Sequence, residues 1–276
     1  MREFSHEEYL KSLGKTIDIS GKKYKIEIPK IKRLEPTPEE FELQTTTVYS
    51  FQKRGDWATH YLNASYRGNF APEIARNVIL RYSKLGELVL DPFCGSGTTL
   101  IEAKLLKRNF IGTDVNPNAV LLSRNRLDFG DQKLGKTFIG DARKLDQLSG
   151  ASVDLIIAHP PYANIIEYSG RSDDLSSLTP PRFFQEMAIV SKECYRVLKP
   201  GHFCAILVGD GRSHGDVVPI AYQTMQRFIE AGFKIREDII KVQWNCSATP
   251  FWKNRSKEFN FHLIMHEHLF VFRKDA

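Results

Sequence analysis

The chain has 276 residues, of which 42% are hydrophobic and 26% are charged, as is usual for a globular protein. No segment approaches the ~20 apolar residues of a membrane span, and the first residues lack the apolar core of a signal peptide, so we expect a cytoplasmic protein without a membrane partner. The net charge of +6 favours a polyanionic partner, although a solvated basic surface explains it as well, and the four scattered cysteines predict neither a disulfide framework nor a metal site.

The first 50 residues are predicted to be a charged extension of the main domain, which we place at residues 51–276. Thr16–Ser20 and Lys23–Ile28 alternate apolar and polar side chains on either side of Gly21-Lys22, a pattern typical of a small β-hairpin. Two prolines and many charges predict that Lys30–Glu40 is a linker.

From about residue 70 onward, helical and strand patterns alternate. Helices are predicted at Pro72–Ser83, Thr98–Leu106, Asn116–Leu127, Pro181–Leu198 and Pro219–Ala231. Strands are predicted at Glu87–Leu90, Phe110–Thr113, Phe138–Ile139, Val153–Ala158, His202–Val208, Phe233–Val242 and His268–Arg273. This alternation predicts a doubly wound, Rossmann-like α/β fold with about seven mostly parallel strands. The last two strands lack an obvious helix between them, so we expect an antiparallel pair.

A glycine turn joins the first predicted strand of the main domain to a helix, in the segment LVLDPFCGSGTT at Leu88–Thr99. Gly95 and Gly97 permit backbone conformations that other residues avoid, and they let a ligand approach the backbone. The segment lacks the GKS or GKT of a Walker phosphate loop and the third glycine of the dinucleotide fingerprint. A tight turn without a ligand is the alternative interpretation.

Two more acidic residues follow the next strands. Asp114 ends the second strand, where a carboxylate can accept hydrogen bonds from both ribose hydroxyls of an adenosine. Asp141 follows the third strand, where it is expected to meet the adenine amino group. Together with the glycine turn, these residues predict a nucleoside-containing cofactor.

A second motif, HPPY at residues 159–162, follows the strand Val153–Ala158 and therefore lies at the same edge of the sheet. Two consecutive prolines fix the backbone and remove two N–H donors, which suits a site that accepts hydrogen bonds from an amine. Tyr162 offers a flat face to a planar base.

DPFCGSGTT followed by HPPY resembles the DNA amino-methyltransferases, whose tetrad has the pattern [D/N/S]-P-P-[Y/F/W]. The resemblance extends from about Trp57 to the C-terminus and includes Tyr66–Ser83, similar to the segment that covers the methionine end of the cofactor, and the last strand HEHLFVFRK. It implies a class I fold, S-adenosyl-L-methionine as cofactor, and methylation of cytosine N4 or adenine N6. A related branch methylates guanine N2 in tRNA.

The resemblance assigns roles to particular residues of this sequence. The catalytic tetrad is His159, Pro160, Pro161 and Tyr162. The residues expected to bind the cofactor are Tyr66, Arg67, Gly68, Asn69, Asp91, Pro92, Phe93, Cys94, Gly95, Ser96, Gly97, Thr98, Thr99, Asp114, Val115, Asn116, Asp141 and Ala142. The stretch Ile165–Ser176 is expected to line the base pocket.

His159 departs from the family pattern, because members usually carry Asp, Asn or Ser at this position. A neutral imidazole can accept a hydrogen bond through its unprotonated nitrogen, whereas an imidazolium cannot. We therefore expect activity to fall as the pH drops through the pKa of this side chain. An inactive family member is the alternative.

The expected mechanism needs no covalent intermediate. The base leaves its stack, Tyr162 stacks on it, and His159 and the Pro160 carbonyl accept hydrogen bonds from its amine, which then attacks the methyl group. Carbon-5 methylation of cytosine is not indicated, because the sequence contains no Pro-Cys dipeptide, and Cys94 is interpreted as a small packing residue.

Several other polar features are given structural interpretations. Asp173-Asp174-Leu175-Ser176 is expected to cap or order a loop rather than bind a metal. The histidines of HLIMHEH at residues 262–268 lack the HExxH spacing of a zinc site. Gly209-Asp210 is interpreted as a turn that follows a strand.

Two segments mix aromatic, polar and basic residues and are predicted to be loops that contact nucleic acid, namely Gln243–Lys257 and Phe51–Tyr66. An ordinary polar surface is the alternative for both. No separate target-recognition domain is evident, so recognition is expected to come from these loops, the N-terminal residues or a second subunit.

The leading hypothesis is a site-specific DNA methyltransferase, a monomer or homodimer, that acts on cytosine N4 in preference to adenine N6. A tRNA guanine-N2 methyltransferase is the second hypothesis, although about 50 residues leave little room for the RNA-binding domain usual in that branch. The third is a catalytically silent nucleic-acid-binding subunit, which the intact Asp91, Gly95, Gly97 and Asp114 disfavour.

Overall fold

The computed structural model describes residues 1–53, 55–57, 66, 68–163, 174–213, 215–245 and 249–276. The strands are β1 (Arg2–Glu3), β2 (Thr16–Ile19), β3 (Lys22–Lys25), β4 (Val48–Ser50), β5 (Leu88–Asp91), β6 (Asn109–Asp114), β7 (Gly135–Ile139), β8 (Val153–Ala158), β9 (Leu198–Val208), β10 (Gly211–Ser213), β11 (Asp216–Val218), β12 (Lys234–Val242) and β13 (His266–Arg273). The helices are α1 (His6–Leu10), α2 (Pro72–Tyr82), α3 (Thr98–Leu105), α4 (Pro117–Arg126), α5 (Pro180–Val197), α6 (Ile220–Glu230) and α7 (Thr249–Glu258).

One sheet organises the molecule, with the strand order β1-β7-β6-β5-β8-β9-β13-β12-β4. Strands β5 to β9 are mutually parallel, and β13 runs antiparallel to both β9 and β12. The doubly wound α/β fold and the final antiparallel pair are therefore as predicted.

The strand β8 shows why the sheet must be covered on both sides, because all of its six residues are buried. Its side chains alternate between the faces, so Leu155 and Ile157 pack with the side chains of α2 and α3, while Ile156 and Ala158 pack with those of α5 and α6. Burial on both faces explains the continuous apolar run VDLIIA in the sequence.

Two predictions about the sheet were incomplete. Among the described residues it has nine strands rather than about seven, because the short strands β1 and β4 from the N-terminal residues pair with β7 and β12 at its two edges. The connection between the last two strands, predicted to be a loop, contains the helix α7. No residue of α7 is buried, so its sequence lacks the apolar stripe from which a helix is predicted.

The N-terminal residues also cover one helix of the main sheet. Strands β2 and β3 form the predicted hairpin, and Tyr9 and Ile26 pack with Leu121 and Leu122 of α4 in a small apolar cluster. The Tyr9 hydroxyl donates a hydrogen bond to Asp128 Oδ2 at 2.7 Å.

In the part of the chain that the structure describes, we find no helix with the length and apolar character that crossing a membrane requires.

Candidate active site

A cleft opens at the carboxyl ends of the parallel strands β5, β6, β7 and β8, where ligands of doubly wound folds bind. The predicted site residues that line it are Tyr66, Gly68, Asn69, Asp91, Pro92, Phe93, Cys94, Gly95, Ser96, Thr98, Asp114, Val115, Asn116, Asp141, Ala142, His159 and Pro161. Both sequence motifs therefore border one cavity.

Four predicted residues do not belong to this lining, and Arg67 lies outside the described residues. Gly97 faces α4, Thr99 is fully buried in α3, and Pro160 and Tyr162 are buried next to His159 and Pro161. The cavity lining thus includes His159 and Pro161 of the tetrad but not Pro160 and Tyr162.

The glycine turn needs both of its glycines. Gly97 has a φ of 89°, and a Cβ at this position would lie 2.6 Å from the Ser123 hydroxyl oxygen. Gly95 has a φ of 47°, and a Cβ there would lie 3.3 Å from the Tyr66 ring. The second contact brings Tyr66 over the turn, so the aromatic ring and the glycine backbone face each other across the cleft mouth.

Two carboxyl groups of the cleft, Asp91 and Asp114, have raised pKa values. Asp91 Oδ1 accepts a hydrogen bond from the backbone N–H of Phe93, and the two oxygens of Asp114 accept from those of Gly95 and Asn116 at 3.0 and 2.9 Å. Burial raises the pKa of Asp91 to about 7 and that of Asp114 to about 6. The cleft therefore offers carboxyl oxygens that can stabilise a positive charge and accept hydrogen bonds from hydroxyl groups.

Asp141 is held differently, because Arg143 occupies its carboxylate. Arg143 Nε lies 3.0 and 2.9 Å from the two oxygens of Asp141, and Arg143 Nη2 lies 2.6 Å from Oδ2. The same guanidinium reaches Glu186 on α5 at 2.8 Å. An adenine amino group at this carboxylate would have to compete with the guanidinium, a constraint that the sequence did not reveal.

Cys94 packs within the glycine turn. Burial raises the pKa of its thiol, which therefore stays protonated and unreactive. This agrees with its interpretation as a small packing residue.

The tetrad is part of a chain of polar groups that ends on the last two strands. His159 Nε2 lies 2.6 Å from the Tyr162 hydroxyl, which donates to Glu267 Oε1 at 2.6 Å. Glu267 Oε2 in turn accepts from Lys241 Nζ at 2.6 Å. Gly209 makes room for this arrangement, since a Cβ there would lie 3.1 Å from the Glu267 side chain and 3.2 Å from the Tyr162 ring.

The count of protons in this chain of polar groups favours one tautomer of the neutral His159 ring. Although burial raises the pKa of Glu267, Lys241 and the other neighbours bring it below its usual value, so Glu267 is a carboxylate. Tyr162 has one proton and donates it to Glu267, so the hydrogen between Tyr162 and His159 comes from Nε2. In the neutral ring, Nδ1 then carries the lone pair.

Burial lowers the pKa of His159, although the Glu267 carboxylate and the Gly68 backbone oppose the shift and Lys241 adds to it. The neutral imidazole is thus the favoured form near pH 7, as a hydrogen-bond acceptor requires.

Asp174 and Leu175, from the predicted pocket stretch Ile165–Ser176, line the cleft, as does Phe70 from the predicted segment Tyr66–Ser83. The Phe70 ring packs edge-on against His159 with the ring centroids 5.6 Å apart. Sequence reasoning assigned no role in this site to Lys241 and Glu267, and the available signal was a charged residue next to the end of a predicted strand.

Of the predicted pocket stretch Ile165–Ser176, residues 164–173 lie outside the described part of the chain. Asp174 Oδ1 accepts from the Ser176 N–H at 2.8 Å and begins a single 3₁₀ turn, as the capping interpretation predicted. In the HLIMHEH segment, His268 Nδ1 lies 3.0 Å from Asp238 Oδ1, while Glu267 is engaged by Tyr162 and Lys241.

Comparison with known proteins agrees with this geometry. A family model described as DNA methylase matches residues 3–125 and 153–276. The type II methyltransferase M.MjaII of Methanocaldococcus jannaschii is 34% identical over 85 residues, which are 30% of this chain and 16% of that protein. A tRNA (guanine(10)-N2)-dimethyltransferase of Methanothermobacter thermautotrophicus is 33% identical over 112 residues, which are 40% of this chain and 32% of that protein.

Among solved structures, TrmN from Thermus thermophilus superposes with a TM-score of 0.55 at 20% identity, covering 78% of this chain and 53% of that one. This likeness concerns the fold. The chain aligns with less than a third of the length of the two curated relatives.

Proposed function

Because the chain belongs to the DNA methylase family, we propose that it transfers a methyl group to the exocyclic amine of a base flipped out of DNA. S-adenosyl-L-methionine is the methyl donor that this family uses. The observation that carries the proposal is that His159 and the glycine turn border one cleft, so that an amine acceptor and a cofactor site share one cavity.

The cleft residues fit this cofactor chemically. Asp114 keeps both oxygens at the cleft, where they can accept the ribose hydroxyls beyond the two backbone hydrogen bonds they already receive. Asp91 supplies a buried carboxyl that a cationic ligand would ionise. The remaining predicted cofactor residues, including Asn69, Val115 and Ala142, are proposed to shape the same pocket.

When bound, S-adenosyl-L-methionine supplies an electrophilic methyl group, and the chain's own task is to orient the attacking amine. We assign the acceptor role to His159 Nδ1, because Nε2 is engaged by Tyr162. The Pro160 carbonyl accepts the second amine hydrogen, and Pro161, the next residue, restricts the backbone that carries it. Localising the nitrogen lone pair and aligning it with the methyl group are positioning and electrostatic effects.

The geometry leaves Tyr162 a more specific task than stacking alone. Its hydroxyl joins His159 to Glu267, so the ring that is expected to lie against the base also fixes the tautomer of the acceptor. We propose that both roles belong to Tyr162.

Two substrates other than cytosine N4 compete within this chemistry. Adenine N6 fits the same acceptors, and the preference for cytosine depends only on the absence of the Asp that is common in adenine enzymes. The similarity to tRNA (guanine(10)-N2)-dimethyltransferases favours guanine N2 as the second candidate. A silent subunit is disfavoured, because Asp91 and Asp114 are present and hydrogen-bonded.

We further propose that residues 1–50 form the extension and residues 51–276 the methyltransferase domain. We also propose that the protein acts in the cytoplasm as a monomer or homodimer.

The test is to supply S-adenosyl-L-methionine with a labelled methyl group to the purified protein with duplex DNA and with tRNA separately. The nucleic acid is then digested and the labelled nucleoside identified. N4-methylcytosine or N6-methyladenine supports the proposal, label in tRNA alone replaces it with the second candidate, and no label in either favours the silent subunit. A His159→Ala variant is the control for label that does not depend on the tetrad.

A further inference from the structure

The helix α7 and its flanks form a surface that the proposed chemistry leaves unused. No residue of α7 is buried, and Phe251, Trp252 and Phe259 are 59%, 42% and 60% exposed. Exposed rings this close together commonly mark a binding surface.

The same surface is basic. Lys253, Arg255 and Lys257 accompany a single acidic residue, Glu258. The Arg255 guanidinium lies 5.0 to 5.9 Å from the ring centroids of Phe251, Trp252 and Phe259. Within the described parts of the chain, none of the three basic side chains forms an ion pair. Their charge is therefore available to an anionic partner.

The register of the sheet places α7 at the edge that carries the cleft. The α7 segment leaves the sheet after Val242 and returns at His266, and these two residues are paired across the strands. His268 is paired with Val208 at the end of β9, and Ala158, which directly precedes His159, is paired with Ile206 on the same strand. The segment that carries the aromatic surface thus leaves the sheet on the side where the tetrad follows β8.

Contacts with neighbouring elements fix the direction in which the α7 segment leaves. Arg212 of β10 donates to the His262 carbonyl at 3.0 Å, and its guanidinium lies 5.4 Å from the Phe261 ring centroid. On the other flank, Trp244 Nε1 donates to the Ser50 hydroxyl at 3.0 Å, and Asn245 donates to the Gln52 carbonyl at 3.0 Å. A segment held on both sides is suited to present a preformed surface.

We propose that the exposed face of α7 binds the DNA beside the flipped base, with Arg255 and the two lysines on phosphates and the Phe251 and Trp252 rings against bases. The inference depends on the proposed function, because it takes DNA as the substrate. Nucleic acid is favoured over a second copy of this chain because unpaired positive charge on both surfaces would repel, whereas a phosphate backbone neutralises it.

The test compares two charge reversals that change the net charge equally. Arg255→Glu changes a residue of the α7 surface. Lys84→Glu changes an exposed residue that precedes β5, at the amino-terminal ends of the parallel strands and therefore opposite the cleft. Binding of a fluorescent DNA duplex is measured by anisotropy over a range of salt concentrations. Arg255→Glu should weaken binding and make the slope of log affinity against log salt shallower by about one, while Lys84→Glu changes the slope little.

The aromatic contribution is measured with Trp252→Ala against Leu85→Ala, whose side chain is 71% exposed at the opposite edge. Loss of one stacked base should weaken DNA binding by about fivefold to 150-fold in the first variant only. Thermal unfolding checks that both variants fold. Equal DNA affinities of the Arg255→Glu and Lys84→Glu variants would overturn the proposal. It would also be overturned if the wild-type protein were a dimer and Trp252→Ala dissociated that dimer without weakening DNA binding.

The labelling assay separates this inference from the proposed function. If wild type labels DNA and Arg255→Glu has an unchanged KM for DNA, the docking surface is wrong and the function stands. If wild type labels tRNA alone, both are overturned. A raised KM for DNA with an unchanged kcat in Arg255→Glu, but not in Lys84→Glu, supports both.

Discussion

His159 stands at a position where related enzymes carry a carboxylate, an amide or a hydroxyl, so its role depends on its protonation. The structure leaves the His159 side chain only 13% exposed and places Nε2 at the Tyr162 hydroxyl, so we assign Nδ1 as the acceptor of the neutral form. Because burial lowers the pKa of His159, the imidazole is neutral over a wider pH range than a free histidine. Replacing the family's usual acceptor by histidine therefore adds a pH dependence without removing the acceptor.

This predicts the acid limb of the pH–rate profile. With both substrates saturating, kcat should be constant near pH 7 and fall only below about pH 6.5, the ordinary imidazole pKa, since protonation of Nδ1 removes the lone pair. His159→Asn, which accepts through a carbonyl oxygen at every pH, should stay active and lose this limb. Steady-state methyl transfer from pH 5 to pH 8 checks it, and an identical acid limb in both proteins would show that another group titrates.

Asp91 predicts a proton released on cofactor binding. Its pKa is about 7 because the carboxyl is buried, and a cationic ligand nearby favours the ionised form. At pH 7, S-adenosyl-L-methionine should therefore release about half a proton from Asp91 and, from its lower pKa, about a tenth from Asp114.

Calorimetric titration in two buffers of different ionisation enthalpy measures the released proton. Near pH 6 the release should rise to about 1.4 protons per bound cofactor, about 0.9 from Asp91 and about 0.5 from Asp114, and at pH 8 it should nearly vanish. Asp91→Asn should remove about two thirds of the release at pH 6 if that variant binds. Binding heats that do not depend on the buffer at pH 6 would contradict the assignment.

At the scale of elements, the interior strands β12 and β13 support the tetrad as well as extending the sheet. Lys241 and Glu267 are paired residues of these two strands, and Glu267 accepts hydrogen bonds from both the Tyr162 hydroxyl and Lys241 Nζ. No local pattern predicts this pairing, because it depends on the register between strands more than 20 residues apart in sequence.

Substitutions at this pair should move the pH profile in opposite directions. Glu267 raises the pKa of His159 and Lys241 lowers it, so Glu267→Gln should shift the acid limb of kcat to lower pH and Lys241→Met to higher pH. Glu267→Gln should also reduce kcat about tenfold, the value of a hydrogen bond to a charged group worth ~1.5 kcal/mol. If the acid limb stays at the same pH in both variants while kcat falls, Lys241 and Glu267 have only a structural role.

The elements themselves were predictable where burial imposes a period. The boundaries of α2, β8 and α5 fall within one or two residues of those expected, because apolar spacing and terminal prolines mark them. The helix α7 has no buried face, and β1 and β4, at two and three residues, are too short to alternate. The cleft followed from motifs at strand ends, whereas the engagement of Asp141 by Arg143 required the folded geometry.

At the scale of the whole molecule, the N-terminal residues are joined to the sheet at three places. Strand β1 extends one edge of the sheet, β4 extends the other, and the hairpin with α1 covers α4. Buried Trp57 donates to Glu102 on α3 at 2.6 Å, directly after the end of the proposed extension. Residues on both sides of the proposed boundary at residue 50 therefore pack in the same hydrophobic clusters.

The last prediction follows from this continuity. Ile26 is fully buried in the cluster over α4, whereas Ile28, two residues later, is 66% exposed. Ile26→Ala should destabilise the protein by about 2–5 kcal/mol, the usual result of emptying a buried apolar site, and Ile28→Ala should change stability little.

All three tryptophans lie after residue 50, so their fluorescence reports on the main domain during denaturant unfolding. If the extension and the sheet fold as one unit, the tryptophan transition moves in Ile26→Ala. A transition unchanged from wild type would mean that the first 50 residues unfold separately, because a cluster that stabilises only its own segment cannot affect the rest.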